Sequence, residues 1–398
     1  MLRRELLALA GWPLLGRVNG EDSPVLVSTP SQRADYLRTM LRRLSTQTGP
    51  RPSGSPGYDA GVRLIEGEMK RALPSVVLDT FEFSGWKPVG EAEFRAGEQR
   101  LETYIAENSP GTPKDGVQGR LRAGKGAGYE IVESEGGRVL ARIGISEFGR
   151  AISSLHSGTD QIPLFNIGKQ DVALLDRAVR EGLPVRARAA VLWAPRTKTS
   201  SLAGTLPGAS KEEILFVAHA DTKYNTPGAN DNTASLICLL MMAHAHSGKR
   251  PRRAMTFLAT AAEERGYLGA KHYAQTRKEQ GTLGDVKVCI NLDSLTYGPN
   301  LQIATTDGEL AQMFLDIHRD LGVRSQPKVL QQNDTMDSAP FGAAGARTVH
   351  LNSRGDDART LPLWHRPEDR AETVRPDYIE SSFLVLMELC ARLQATSA

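Results

Sequence analysis

Cysteine is scarce in this chain: of 398 residues three are cysteine, and Cys238, Cys289 and Cys390 all fall within apolar runs. So few thiols imply no disulfide framework, and in such surroundings they behave as small buried hydrophobes. An excess of one charge is also lacking. Forty-nine Lys and Arg against 46 Asp and Glu leave a formal charge of +3, and the basic residues are scattered, so no nucleic-acid partner is expected. The densest basic group, GKRPRR at 248–253, reads as a solvated connection with cations near a helix C-terminus. His244 and His246, at the end of the same helical run, are read likewise. Long hydrophobic runs are missing too. The most apolar terminal stretch, in MLRRELLALAGWPLLG, is short and interrupted by Pro13; it cannot span a bilayer, and no stable membrane insertion is expected.

That same stretch has two arginines ahead of Leu6–Ala10 and resembles a twin-arginine export signal. Residues 1–25 are therefore expected to be a leader and the protein to be exported, periplasmic or secreted; a plain N-terminal helix in a cytoplasmic protein is the alternative. The length exceeds one ordinary domain and suffices for a core that needs no staples.

What the chain does contain is a series of metal-binding residue types at the exits of apolar runs. EEILFVAHAD delivers His219 and Asp221, RAMTFLATAAEE ends on Glu263 and Glu264, and VKVCINLD ends on Asp293. Each run is short and rich in β-branched and large apolar residues, as buried strands are. In open α/β sheets, ligands bind beyond the carboxyl ends of the strands. Side chains far apart in sequence would meet there.

Asp231 stands in GANDNTASLICLLMMAHA, before an apolar helix over 232–246, where an N-cap role is the plain reading and does not exclude ligation. His365, in LWHRPEDR, is in a loop that Pro367 keeps from being a continuous helix. Together, His219, Asp231, Glu264, Asp293 and His365 supply two histidines and three carboxylates. Two zinc ions sharing one bridging carboxylate, each with two further protein ligands, need that set. The Glu263-Glu264 pair offers one ligand beside one proton acceptor for the attacking water. Asp221, two residues after His219 in extended chain, is expected to accept the other ring N–H of that histidine and fix its tautomer.

These residues resemble the co-catalytic zinc peptidases of the aminopeptidase Y and bacterial leucyl aminopeptidase type, a family that includes glutamate carboxypeptidase II and the zinc-dependent glutaminyl cyclases. Its H-x-D is His219-Ala220-Asp221, its G-A-x-D-N is Gly228 to Asn232, and its E-E-x-G-x-x-G is Glu263 to Gly269. N-x-D is Asn291-Leu292-Asp293, and the late H-x-x-x-D is His365 with Asp369. The resemblance implies an α/β fold, a mixed central β-sheet flanked by helices in an α/β/α sandwich. It also implies that Asp231 bridges, that His219 and Asp293 complete one zinc and Glu264 and His365 the other, and that Glu263 is general base and acid. One departure is Asp337-Ser338-Ala339-Pro340-Phe341, where the family often has D-H-x-P-F. The missing histidine is not a ligand, so substrate contacts near Ser338 are what it affects.

The earlier half is organised around the same core. Residues 26–85 carry two amphipathic helices and a strand, SVVLDTFEF. Between the helices the Gly- and Pro-rich GPRPSGSPG forms a turn in which Arg51 is expected at the surface. Residues 86–195 change to short extended runs, GVQGRLRAG, GRVLARIGI, IPLFNIG and PVRARAAVLWAP, around one helix, QDVALLDRAVREG. This mostly-β insert resembles a protease-associated domain. Its His156 and Asp160 are read as loop residues, and the insert is expected to roof the catalytic cleft. Residues 196–398 form the zinc peptidase core. The expected function is an aminopeptidase acting on peptide substrates, its oligomeric state not determined by these residues. A carboxypeptidase, a glutaminyl cyclase and a non-catalytic receptor on the same fold are the alternatives; a carboxypeptidase would draw on Arg324, Arg347, Arg354 or Arg359.

Overall fold

The computed structural model describes residues 26–124, 126, 128–135, 137–323, 327–332, 336–355 and 363–395; the expected leader and Arg324 and Arg359 lie outside them. The first helix, α1 (Pro30–Leu41), is started by Thr29, whose hydroxyl accepts from the Gln32 amide while the Gln32 side chain accepts from the Thr29 amide. That reciprocal cap satisfies amide groups a helix start leaves open, and Pro30 costs nothing there because its missing N–H would have no partner. A six-residue π-helical turn, Arg42–Gln47, extends it. After α2 (Pro56–Ala72) comes β1 (Ser75–Ala96), followed by β2 (Gln99–Leu101), β3 (Thr103–Ile105), β4 (Val117–Ala123), β5 (Tyr129–Val132), β6 (Val139–Ser146) and β7 (Leu164–Gly168). Next are α3 (Val172–Glu181), β8 (Pro184–Leu206), β9 (Ser210–His219), α4 (Ala234–His246), β10 (Arg253–Thr260), α5 (Leu268–Glu279) and β11 (Val286–Leu292). The chain ends through β12 (Asn300–Ala304), α6 (Gly308–Leu321), β13 (Lys328–Leu330), α7 (Ala339–Gly342), β14 (Arg347–Arg354) and α8 (Pro376–Ala395).

The sheet is mixed and central, as expected. Its order from one edge is β13-β12-β14-β11-β9-β10-β8, with β1 along β8. β10, β9, β11 and β14 are mutually parallel, whereas β12 runs against β14 and β8 against β10. β9 is thus flanked by β10 on one side and β11 on the other, and the two following connections leave it in opposite directions. Such a point opens a crevice at the carboxyl end of the strand, and His219 is the last residue of β9.

Alternation along β9 feeds both faces. Ile214, Phe216 and Ala218 join the main core with α1, α2, α4 and α8, while Leu215 and Val217 join a smaller core with Ala270, Tyr273 and Phe341. α4 packs against α1, α2 and α8, and residues 234–244 are all buried, which is why its sequence is apolar on every face. Its end departs from expectation. His244 is buried with Nε2 at 3.3 Å from Glu68, and His246 bonds the Met242 carbonyl. The basic connection is solvated except for Arg253, which is buried against Glu212 and the Leu393 carbonyl. The three cysteines are buried and unpaired with one another.

β1 and β8 pair antiparallel from Ser75↔Thr205 to Ala96↔Val185, with register shifts between Phe83 and Gly85 and between Val89 and Glu93, and the ribbon spans both expected domain boundaries. The ribbon bends between Phe83 and Gly85, where a Cβ on Gly85 would lie 2.1 Å from Thr197 Oγ1; only glycine allows that approach. Beyond the bend the two strands belong to a second lobe with its own core, including Trp86, Phe94, Ile131, Phe165, Leu175 and Val185. This lobe is mostly β with one helix, α3. His156 lies outside any helix or strand, as expected of a loop residue, and is buried in this lobe 3.9 Å from Asp160.

Candidate metal centre

Every candidate ligand reaches the crevice from a strand exit or a tied loop. His219 closes β9, and Asp293 follows β11 directly, its amide bonded to the Leu351 carbonyl within β14. Glu263 and Glu264 form a short 3-10 turn after β10, entered through Ala262 in the left-handed region at φ 53°. The Ala262 amide is held by Ser53 Oγ at 2.7 Å and the Glu263 amide by Asp221 Oδ1 at 3.1 Å.

Asp231 is placed by more ties than any neighbour. Gly228 turns the loop at φ 59°, and a Cβ there would meet Thr222 at 2.3 Å and the Asp231 carbonyl at 2.4 Å. The Asp231–Asn232 peptide is cis. Asp369 accepts from the amides of Asn230 at 2.8 Å and Asp231 at 3.1 Å, and also from the Asn230 side chain. Asn232 donates to the Leu292 carbonyl and accepts from the Ser294 amide, joining this loop to the end of β11. Arg51, expected at the surface, is 1% exposed. Its guanidinium donates to the carbonyls of Ala220 and Leu44 and to Thr233 Oγ1. Three loop segments around the crevice share this one side chain.

The two oxygens of Asp231 face different histidines. Oδ1 is 3.2 Å from His219 Nε2 and Oδ2 is 3.2 Å from His365 Nε2. His219 Nε2 is also 3.7 Å from Asp293 and 3.9 Å from Glu263, and His365 Nε2 is 3.4 Å from Glu264. Two triads result, His219–Asp231–Asp293 and Asp231–Glu264–His365, each with its ligand atoms within 4.8 Å of one another. All five residues are buried.

The donor set fits divalent cations for a reason of hydrogen-bond chemistry. His219 Nδ1 is 3.1 Å from the Asp221 carbonyl, and His365 Nδ1 is 3.0 Å from the Ser153 carbonyl. A carbonyl accepts only, so each Nδ1 carries a proton and each Nε2 is turned toward carboxylate oxygens. In a buried space such a contact needs a proton or a metal cation between nitrogen and oxygen, and a cation in the proton's place makes ligands of both. Glu264 Oε1, buried with no hydrogen-bond partner among the described residues, adds a further vacant lone pair. Asp221 thus contacts His219 through its backbone. Its carboxylate, expected to hold the ring, is farther away at 3.7 Å and supports the Glu263 amide instead.

The crowding of acids is visible in their proton affinities. Burial pushes Glu263 well above the ordinary carboxylate range, Glu264, Asp337 and Asp293 adding to the effect against His219. Burial likewise raises Asp221, Asp337 and Asp369 to about 7. Glu264 goes the other way: burial opposes ionisation, but Lys223 and His365 together hold it well below the usual range. For His365 burial works against the charged ring, yet Glu264 and Asp231 raise it to about 9. Asp337 accepts from Thr260 Oγ1, and Ser338, where the sequence departs from the family pattern, is fully buried.

The sequence gives little sign of several residues here. Lys223, 2% exposed, places Nζ 3.1 Å from Glu264 Oε2, 2.9 Å from the Glu264 carbonyl and 3.5 Å from Glu107. Its position just after H-x-D is its sole signal. Glu107 and Ser153 come from the lobe over 86–195, which shows no ligand pattern. A cavity of about 680 Å³ lies along the seam between that lobe and the crevice loops, lined by Leu101, Tyr104 and Ile105 on one side and Tyr224, Asn225 and Pro367 on the other.

Residues 201–390 match the model of Peptidase family M28. Aminopeptidase YwaD of Bacillus subtilis (strain 168) is 22% identical over 386 residues, a match covering 88% of this chain and 82% of that protein. The probable lipoprotein aminopeptidase LpqL of Mycobacterium tuberculosis is 26% identical over 350 residues, covering 80% of this chain; the chain spans 66% of that relative's length. Among solved structures, BSAP, a zinc aminopeptidase from Bacillus subtilis, superposes with a TM-score of 0.72 at 19% identity, covering 90% of this chain and 95% of that one.

Proposed function

We propose that this chain, a member of peptidase family M28 through residues 201–390, is a metal-dependent aminopeptidase that removes N-terminal residues from peptides with two zinc ions. The observation that carries this reading is Asp231, whose two oxygens each lie 3.2 Å from a different histidine. Asp231 would hold both ions, with His219 and Asp293 completing one subsite and Glu264 and His365 the other. Zinc, when bound, supplies Lewis acidity to the scissile carbonyl and brings the pKa of water toward neutrality.

The protein's own groups do the remaining work. Glu263 is buried beside the triads, ligates neither in this account, and has a raised proton affinity. It is suited to take the proton of the attacking water and deliver it to the leaving amine, because a carboxylate of raised proton affinity is the stronger base. Asp221 keeps the Glu263 amide and the His219 ring in place from a single residue.

The relatives named above are aminopeptidases, which favours an N-terminal over a C-terminal cut. A carboxypeptidase would need a free cation for the substrate carboxylate. Of the described arginines considered for that role, Arg347 is engaged by Asp307 and Glu309, and Arg354 donates to the Ser353 carbonyl. The lobe over 86–195 is proposed to be a protease-associated domain that roofs the cleft, with the seam cavity receiving part of the peptide. Export is proposed from the twin-arginine-like start, and one relative is named a lipoprotein. No helix among the described residues is long and apolar enough to cross a membrane.

A side-by-side assay of free-amine, N-blocked, carboxylate-terminal and N-terminal glutamine peptides tests the reading. Zinc-dependent cleavage of the free-amine peptides is expected. Turnover confined to N-blocked peptides, or cyclisation of the glutamine peptide in place of cleavage, would overturn it.

A further inference from the structure

The two proposed subsites are supported from different parts of the molecule. The groups behind His219 and Asp293 belong to the core: the Asp221 carbonyl on the His219 ring, Ser294 Oγ at 2.9 Å from Asp293, and Asn232 bonded across to the Leu292 carbonyl. Behind Glu264 and His365, Lys223 and Asn225 of the core are joined by groups from the lobe over 86–195. The Ser153 carbonyl takes the His365 ring N–H at 3.0 Å, and the Ser153 amide donates to the His365 carbonyl at 3.4 Å. Next in the chain, Arg366 is 1% exposed and donates to the Ala151 carbonyl at 2.7 Å and to Glu102. On the other ligand-bearing turn, Arg265 donates to the Trp86 carbonyl at 2.6 Å and to Asn108 at 2.8 Å. Between the two turns, Lys223 reaches Glu264 while its charge is balanced from the lobe by Glu107, itself 1% exposed.

We propose that the lobe over 86–195 is the outer support of one metal subsite, Asp231–Glu264–His365, so that affinity for the second divalent cation depends on how the lobe is docked while affinity for the first does not. This rests on the two-ion reading above and deepens it. Groups behind the ligands fix ring orientation and carboxylate charge, and losing one typically costs about 10- to 100-fold in metal affinity. Glu107 has a second effect through Lys223. Without its carboxylate, a buried ammonium next to Glu264 is left with less compensation, competes for the ligand and repels the cation. A peptide that pushes the lobe out of register in the seam cavity would loosen one ion and spare the other.

The test is zinc release from the full-length holoenzyme against graded chelator, read as zinc per chain, with circular dichroism and thermal melting in parallel. Glu107→Gln is the central variant. Glu102→Gln, whose side chain is 26% exposed at the lobe's edge, is a second that the fold tolerates more readily. Wild type is expected to release its two ions in two steps. Both variants should move one step by about tenfold or more toward lower chelator and leave the other at the wild-type position, with excess zinc restoring both. Ser294→Ala, on the core side, should move the other step. Two steps unmoved in both lobe variants, or two steps shifting together with the melting temperature, would overturn the proposal. A wild type that holds fewer than two ions would instead remove the two-ion reading and this proposal with it.

Discussion

At the scale of the residue, the account turns on what each carboxylate does with a proton or a cation. Glu263→Gln keeps size and hydrogen bonding but loses the basic oxygen, and none of the five proposed ligands is touched. Turnover should fall by about 10²- to 10⁴-fold with zinc content unchanged; a metal-replete variant with near-normal kcat would contradict the role. Asp231→Ala removes the carboxylate that both triads share, so zinc per chain should drop for both ions. The candidate ligands are legible because each is a side chain with its own chemistry, three of them (His219, Glu264 and Asp293) at the end of an apolar run, and with Asp231 and His365 they converge in one crevice. Their supports were not legible for an equally physical reason. His365 is oriented by a backbone carbonyl 212 residues away, and a carbonyl has no residue identity to read. Arg51 was misjudged for the same reason, since its acceptors are carbonyls at Leu44 and Ala220.

At the scale of the element, the parallel strands β9, β10 and β11 were recognisable as short apolar runs, and the helices by their period. The long ribbon of β1 and β8 was not. Its outer stretch alternates through polar and exposed residues such as Val89, Leu192 and Trp193, so only SVVLDTFEF of one strand and PVRARAAVLWAP of the other read as extended, and pairing carries each strand further. α4 carries a prediction of its own. Leu240 is fully buried on a helix enclosed by the sheet and three other helices, so Leu240→Ala should cost about 2–5 kcal/mol in chemical denaturation. An unchanged midpoint would mean the helix is less enclosed than described. The Arg51 turn supplies a second. Arg51→Met leaves the Ala220 carbonyl and Thr233 with a lost donor in a buried setting, at a cost of about 1–3 kcal/mol; stability equal to wild type would show that the three loops hold without it.

At the scale of the whole molecule, the crevice concentrates acids that a fold tolerates only with cations, and this sets how stability depends on pH. Without metal, Asp337 and Asp369 titrate near 7 and His365 near 9. Each keeps its proton in the folded chain over a range where the unfolded chain has already released it, so stability falls as pH rises through that range. The melting temperature of the zinc-stripped protein should therefore decline from about pH 5 to about pH 9, and the zinc-loaded protein should decline less, because bound cations take the place of those protons. A stripped protein whose melting temperature rises over that interval would oppose the electrostatic account. Its central claim, that Asp231 bridges two ions, is tested most directly by anomalous diffraction at the zinc edge from crystals of the purified protein. Two peaks about 3.5–4 Å apart, one on each side of the Asp231 carboxylate, are predicted; a single peak, or two that do not share Asp231, would contradict it.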